Sequence, residues 1–196
     1  MKSIEVNQII KPIPASDGAG VKLKRSIGVE PNYYDPFLML DEFGSENKDD
    51  YIAGFPPHPH RGIETVTYML AGSFEHKDST GGQGKMTAGD VQWMKTGGGI
   101  IHSEMPAEFE GKLHGFQLWI NLPKEKKMID PSYHDIQPDE IPSVSIKDGR
   151  VKVISGEFRS TVGPGRSHTG VTYLDVHLRS KRAISFPIKK NWNAFI

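Results

Sequence analysis

Gly54-Phe55-Pro56-Pro57-His58-Pro59-His60-Arg61-Gly62-Ile63-Glu64-Thr65-Val66-Thr67-Tyr68-Met69-Leu70 is the stretch whose reading decides the fold. Residues two apart on an extended strand share a face, so His58 and His60 aim two imidazoles at one point. Stepping on by two gives Gly62, Glu64, Val66, Tyr68 and Leu70, a mostly apolar row suited to a barrel wall that keeps bulk water from a bound ion. His102-Ser103-Glu104 repeats the spacing forty-odd residues later. If the two segments lie on neighbouring antiparallel strands, three neutral nitrogens and one carboxylate converge. That donor set suits a borderline divalent ion, and two open positions of six suit iron that meets oxygen, water or a chelating substrate. Zinc, copper, nickel and manganese fit the same ligand types. Glu64 has the parity of His58 and His60 and is a rival carboxylate by spacing.

The rest of the chain is consistent with an all-β sandwich or barrel. Gly (21) and Pro (14) punctuate short runs rich in Val, Ile, Thr, Tyr and Trp, and helical periodicity is scarce. The patterning predicts strands at Val21–Ser26, Phe37–Glu42, Glu64–Leu70, Ser73–Lys77, Asp90–Met94, Ile101–Met105 and Leu113–Asn121, then at Val151–Ser155 and Val171–Leu178. Gly81 to Gly84 and Gly97 to Gly99 are turn signals, and no Lys-Ser/Thr follows either to make a phosphate loop. From Lys124 to Asp148 lysines, acidic residues and Pro131, Pro138 and Pro142 predict an extended surface linker. The chain stops on the apolar run Trp192-Asn193-Ala194-Phe195-Ile196, as a strand cut short or one that completes a sheet elsewhere would.

Composition removes several functions. With 196 residues and no cysteine, disulfides, thiolate metal sites, Fe–S clusters and a cysteine nucleophile are excluded, so any metal must be held by N and O. Lys plus Arg equals Asp plus Glu at 24 each, which gives no net pull toward nucleic acid or anionic lipid. Lys2, Glu5, Asn7 and Gln8 interrupt the N-terminal apolar residues, unlike a signal peptide, and no stretch approaches a membrane helix, so a cytoplasmic protein is expected.

Each histidine also has a blander reading. One His-x-His is a weak signal alone, and Glu104 by itself could be a solvated carboxylate; the repetition raises both. His76, His114, His134, His168 and His177 have no partner at strand spacing and read as structural or surface residues. His114 and Gln117 stand on a strand that could border the site, and either could support the ligands from behind.

The stretch from Gly54 to Leu70 resembles the first signature of pirins, and Gly89-Asp-Val-Gln-Trp-Met-Lys-Thr-Gly-Gly-Gly-Ile-Ile-His102-Ser-Glu104-Met-Pro106 resembles the second. Asp35 to Phe43 and Gly115 to Leu122 extend the likeness. Pirins are two-barrel cupins, so the resemblance implies a jelly-roll barrel over residues 1–123, the linker at 124–148 and the opening of a second barrel at 149–196. It implies one iron ion, Fe(II) or Fe(III), on His58, His60, His102 and Glu104. The general cupin pattern would place Glu64 among the ligands instead. The implied activity is a quercetin 2,3-dioxygenase reaction on a flavonol with O2, with Glu104 as general base and Glu64 in reserve. An alternative from the same family is an iron-dependent regulator with a protein partner and, in a eukaryote, a nuclear location. A third is a truncated, inactive remnant whose apolar end self-associates.

Overall fold

Residues 6–28, 33–107, 111–179 and 181–196 are described by a computed structural model. The β-branched and aromatic runs become strands and the glycines become the corners between them. In chain order the strands are β1 (Ile13–Asp17), β2 (Val21–Ile27), β3 (Phe37–Ser45), β4 (Phe55–His60), β5 (Ile63–Ala71), β6 (Phe74–Asp78), β7 (Gln83–Met86) and β8 (Val91–Lys95). They continue as β9 (Ile100–Pro106), β10 (Leu113–Asn121), β11 (Ser132–Ile136), β12 (Ser143–Ile146), β13 (Gly149–Ser155), β14 (Glu157–Phe158), β15 (Thr161–Val162) and β16 (Tyr173–Leu178). Among the described residues the only helical turns are two short 3-10 segments, Lys48–Asp50 and Lys124–Lys126. No helix there is long and apolar enough to cross a membrane.

Two antiparallel sheets make the barrel. The larger runs β1-β2-β3-β10-β5-β8-β11, and the smaller runs β4-β9-β6-β7. Between them lies a core of Val21, Leu23, Phe43, Phe55, Met69, Phe74, Met86 and Leu113, drawn from both sheets. The other face of the large sheet is also covered. Val66, Tyr68, Val91, Trp93, Leu118 and Ile120 pack there with Ile136, Ile141, Ile154 and Val171 from the later part of the chain. Burial on both faces is why β5 reads Glu-Thr-Val-Thr-Tyr-Met rather than as a clean apolar and polar alternation.

Polar bonds fasten the later segments to this second layer. Tyr68 Oη donates to Asp175 Oδ2 of β16 at 2.8 Å, and Thr169 Oγ1 donates to the Asn121 carbonyl at 2.8 Å. Strand β16 itself pairs with β13 in a three-stranded sheet, β12-β13-β16.

Two expectations change here. Residues 124–148 are not simply a surface tether, because β11 pairs with β8 at the edge of the large sheet, and Ile136 and Ile141 enter the core. Flanking lysines and prolines hid a five-residue strand, and a sheet edge is where such flanks are tolerated. The run 192–196 forms no strand. Instead the Phe195 ring meets Phe37 edge-on at 4.9 Å, and Asn193 Nδ2 donates to the Asp35 carbonyl at 2.8 Å.

Candidate metal centre

Strand register brings the two histidine motifs together. In the β4–β9 pair His58 lies opposite His102, and Phe55 lies opposite Glu104, with a bulge between Phe55 and His58. His58 and His60 approach Nε2 to Nε2 at 3.0 Å. The ring centroids of His102 lie 4.4 Å from His58 and 4.9 Å from His60. One nitrogen from each of the three falls within 4.8 Å of the others.

The individual environments suit that role. His58 Nδ1 is 2.8 Å from the Pro56 carbonyl; with the proton on Nδ1 that bond leaves the Nε2 lone pair facing the cluster. His60 is 7% exposed and its ring meets Trp119 edge-on at 5.0 Å. Burial, with the neighbouring His58, pushes the His60 pKa down to about 4. Burial, with His58, His60 and His76 around it, pushes His102 down to about 2. Both are therefore neutral at physiological pH, as a ligand must be. His102 is 2% exposed, yet neither ring nitrogen has a hydrogen-bond partner among the described residues. A buried imidazole with no partner is rare without an ion or water to satisfy it, so the residues present fit a bound cation.

Glu104, expected as the fourth ligand, is 3% exposed and on the same face of β9 as His102, but its carboxylate is not among the ligand atoms that come together in the trio. Its Oε1 accepts from Thr67 Oγ1 and from Gln117 Nε2, each at 3.3 Å, and Gln117 Oε1 in turn accepts from Trp119 Nε1 at 3.1 Å. Burial raises the Glu104 pKa, opposed by His58 and by the Thr67 and Gln117 bonds. A cleft of about 470 Å³ opens on the His58 and His60 side of the cluster and is lined by Phe43, Phe55, His58, His60, Gln117 and Trp119.

Two residues expected near the site are elsewhere. Glu64 does not share a face with His58 and His60, because Gly62, at φ +69°, turns the chain from one sheet into the other. On β5 it is Thr67 that reaches Glu104, whereas Glu64 points with Val66 and Tyr68 into the opposite layer. There its carboxylate, 0% exposed, accepts from Trp93 Nε1 at 2.9 Å and from the His168 backbone N–H at 2.8 Å. His114 pairs with Glu42, Nε2 to Oε1 at 3.0 Å, three residues from Gln117 and hence on the other face of β10. His76, read as structural or surface, is buried next to His102 with ring centroids 5.6 Å apart. The spacing of His76 and Asp78 on one strand could have revealed it.

The acid response of the metal-free protein follows from these shifts. The folded pKa values of His60 and His102 lie below the ordinary 6.5, so as pH falls the unfolded chain takes up protons first. Their stabilisation is whole above pH 6.5 and is lost progressively toward pH 4 and 2, at about 1.4 kcal/mol per group per pH unit. Burial lowers the His76 pKa as well, and Glu104, with its raised pKa, works in the opposite sense, one group against three. Urea midpoints between pH 7 and 5 should therefore fall with acid, and His60→Asn should flatten the slope; an equal slope in that variant contradicts the assignment.

A barrel closed by a large and a small antiparallel sheet around an interior cluster of imidazoles defines the cupin fold. The family model described as Pirin matches residues 20–120. A pirin-like protein of Caulobacter vibrioides is 48% identical over 196 residues, covering 97% of this chain and 71% of its own length. The chain belongs to the pirin family. A quercetin 2,3-dioxygenase structure from Acinetobacter baumannii superposes with a TM-score of 0.76 at 32% identity, over 88% of this chain and 58% of that one. A bacterial pirin of Escherichia coli in complex with nickel(II) shares the fold at a TM-score of 0.55 and 22% identity, over 72% of this chain and 67% of that one. The chain thus spans between about three fifths and seven tenths of these relatives.

Proposed function

We propose that this protein is an iron-dependent dioxygenase of the quercetin 2,3-dioxygenase type, acting on a flavonol. The observation that supports the reading is the meeting of three imidazoles, His58 half-buried at the cleft and His60 and His102 buried and held neutral by their surroundings, with the buried Glu104 on the same strand face as His102. The similarity to the Acinetobacter dioxygenase supports the substrate class.

In this reading His58, His60, His102 and Glu104 hold the ion, with iron as the resident metal. When bound, the ion supplies Lewis acidity that favours the ionised 3-hydroxyl of a flavonol, together with a place for O2 to react. The protein does the rest. Trp119 and Phe43 offer apolar walls to a flat aromatic substrate, and Gln117 ties Trp119 to Glu104 so that wall and carboxylate keep a fixed relation. The Glu104 carboxylate accepts the proton of the substrate hydroxyl. The core side of the cleft excludes water from the ring that is being opened.

Protein loaded with Fe(II) is expected to cleave a flavonol in air with release of CO, and Glu104→Gln is expected to lower turnover by about 10³-fold or more while some metal stays bound. Unchanged turnover in that variant removes Glu104 from the chemistry. Stoichiometric iron without ring cleavage or CO would instead favour a binding or regulatory role.

A further inference from the structure

Behind His102, away from His58 and His60, lies a second buried polar group that the proposed reaction does not use. In the β6–β9 pair His76 lies opposite Glu104 and Asp78 opposite His102, so both face the barrel interior from the next strand. His76 is 3% exposed. Its ring stands between that of His102, 5.6 Å away, and that of Tyr133 from β11, 4.8 Å away and edge-on. Its Nε2 is 3.7 Å from Asp78 Oδ2, too far for a direct hydrogen bond and within the span of one bridging water. The other oxygen, Asp78 Oδ1, is fixed by the Thr80 backbone N–H and by Thr80 Oγ1 at 2.6 Å.

Polar atoms without a hydrogen bond of good geometry are contiguous here: both nitrogens of His76, both of His102, Asp78 Oδ2 and Tyr133 Oη, the last two close to each other. Leaving one such atom unsatisfied costs about 1–3 kcal/mol, so an isolated group would be hard to tolerate and a linked one would not. The group joins the ligand strand to the edge of the large sheet through Tyr133, which gives it a rigid foundation on both sides.

We propose that His76, oriented by Asp78 and Tyr133, is a positioning residue for His102, hydrogen-bonded to its outer nitrogen directly or through one buried water. The inference rests on the reading that His102 holds a cation. A ligating imidazole whose second nitrogen is engaged is locked in one tautomer and one rotation, and donates more strongly to the ion. His76 touches neither the ion nor the substrate; it acts through His102.

Cobalt(II) serves as the probe because its visible absorption reports the geometry and strength of its ligands. His76→Phe is expected to weaken Co(II) binding about 10- to 100-fold and to shift the absorption bands. His76→Gln, which keeps a donor and an acceptor, is expected to recover most of both. Tyr133→Phe, which removes one hydroxyl, is expected to move them less and in the same direction. Wild-type affinity and an unshifted spectrum in His76→Phe overturn the proposal. Should that variant not fold, Asp78→Asn and Tyr133→Phe decide: unchanged Co(II) affinity and spectrum in both overturn it. If folded wild-type protein takes up no Co(II), the metal reading itself fails and the role of His76 falls with it; normal wild-type uptake with silent variants removes the role of His76 alone.

Discussion

Replacing His102 with alanine is expected to abolish stoichiometric metal binding, with affinity falling more than about 100-fold. His102 is the member of the trio placed between β4 and β6, and its ring is within 5 Å of both His58 and His60, so its loss breaks the cluster at its centre. The same replacement should cost the metal-free fold little. In the metal-free protein the ring nitrogen that faces the cluster has no partner, a burden of about 1–3 kcal/mol that alanine removes and that offsets part of the lost packing. The variant therefore separates binding from folding. Elemental analysis after dialysis and a thermal melt with and without Fe(II) measure both. His114→Ala is the control, since its ring bonds Glu42 outside the cluster and should leave metal content unchanged. Full metal content in the His102 variant would remove the site.

Trp93→Ala is expected to unfold the protein or nearly so. Trp93 is 1% exposed and sits within the layer where the large sheet meets the later strands. Truncating a buried tryptophan costs about 3–5 kcal/mol in lost transfer and cavity. Here the indole N–H is also one of two donors that satisfy the Glu64 carboxylate, so its loss leaves a buried charge half paired. That adds about 1–3 kcal/mol, and the sum approaches the whole stability of an ordinary domain. Trp93→Phe, which keeps an aromatic ring in the layer but loses the N–H together with part of the indole, is expected to cost less than Trp93→Ala. Urea unfolding is the measurement, and a Trp93→Ala midpoint close to wild type would show that this layer bears little of the stability.

What could be read without coordinates was whatever depends on spacing within one strand. His58 with His60, and His102 with Glu104, are each a period-two pair, and alternation alone puts each pair on one face. The β-branched runs likewise locate β2, β3, β5, β8 and β10 to within a few residues. Glu64 was misplaced because counting by twos was carried across Gly62, whose positive φ ends one sheet and begins another. His76 and Asp78 are a period-two pair on β6, but their approach to Glu104 and His102 comes through cross-strand register, so the pair alone does not point to the ligand histidine. The part played by Gln117 depends equally on register, since Thr67 and Gln117 must stand opposite each other on β5 and β10 for both to reach one carboxylate oxygen. Strand β11 was missed for a different reason: its composition is that of a tether, and only the unfilled edge of β8 makes it a strand.

Strand β4, which carries two of the three imidazoles, is the outermost of the smaller sheet and pairs on one side only. Pro56, Pro57 and Pro59 have no amide hydrogen to offer on the other side, so this margin is a poor template for a foreign strand or for fibril growth. A protein can thus leave its most reactive segment at the rim, where small molecules reach it, without inviting its own kind to stack there.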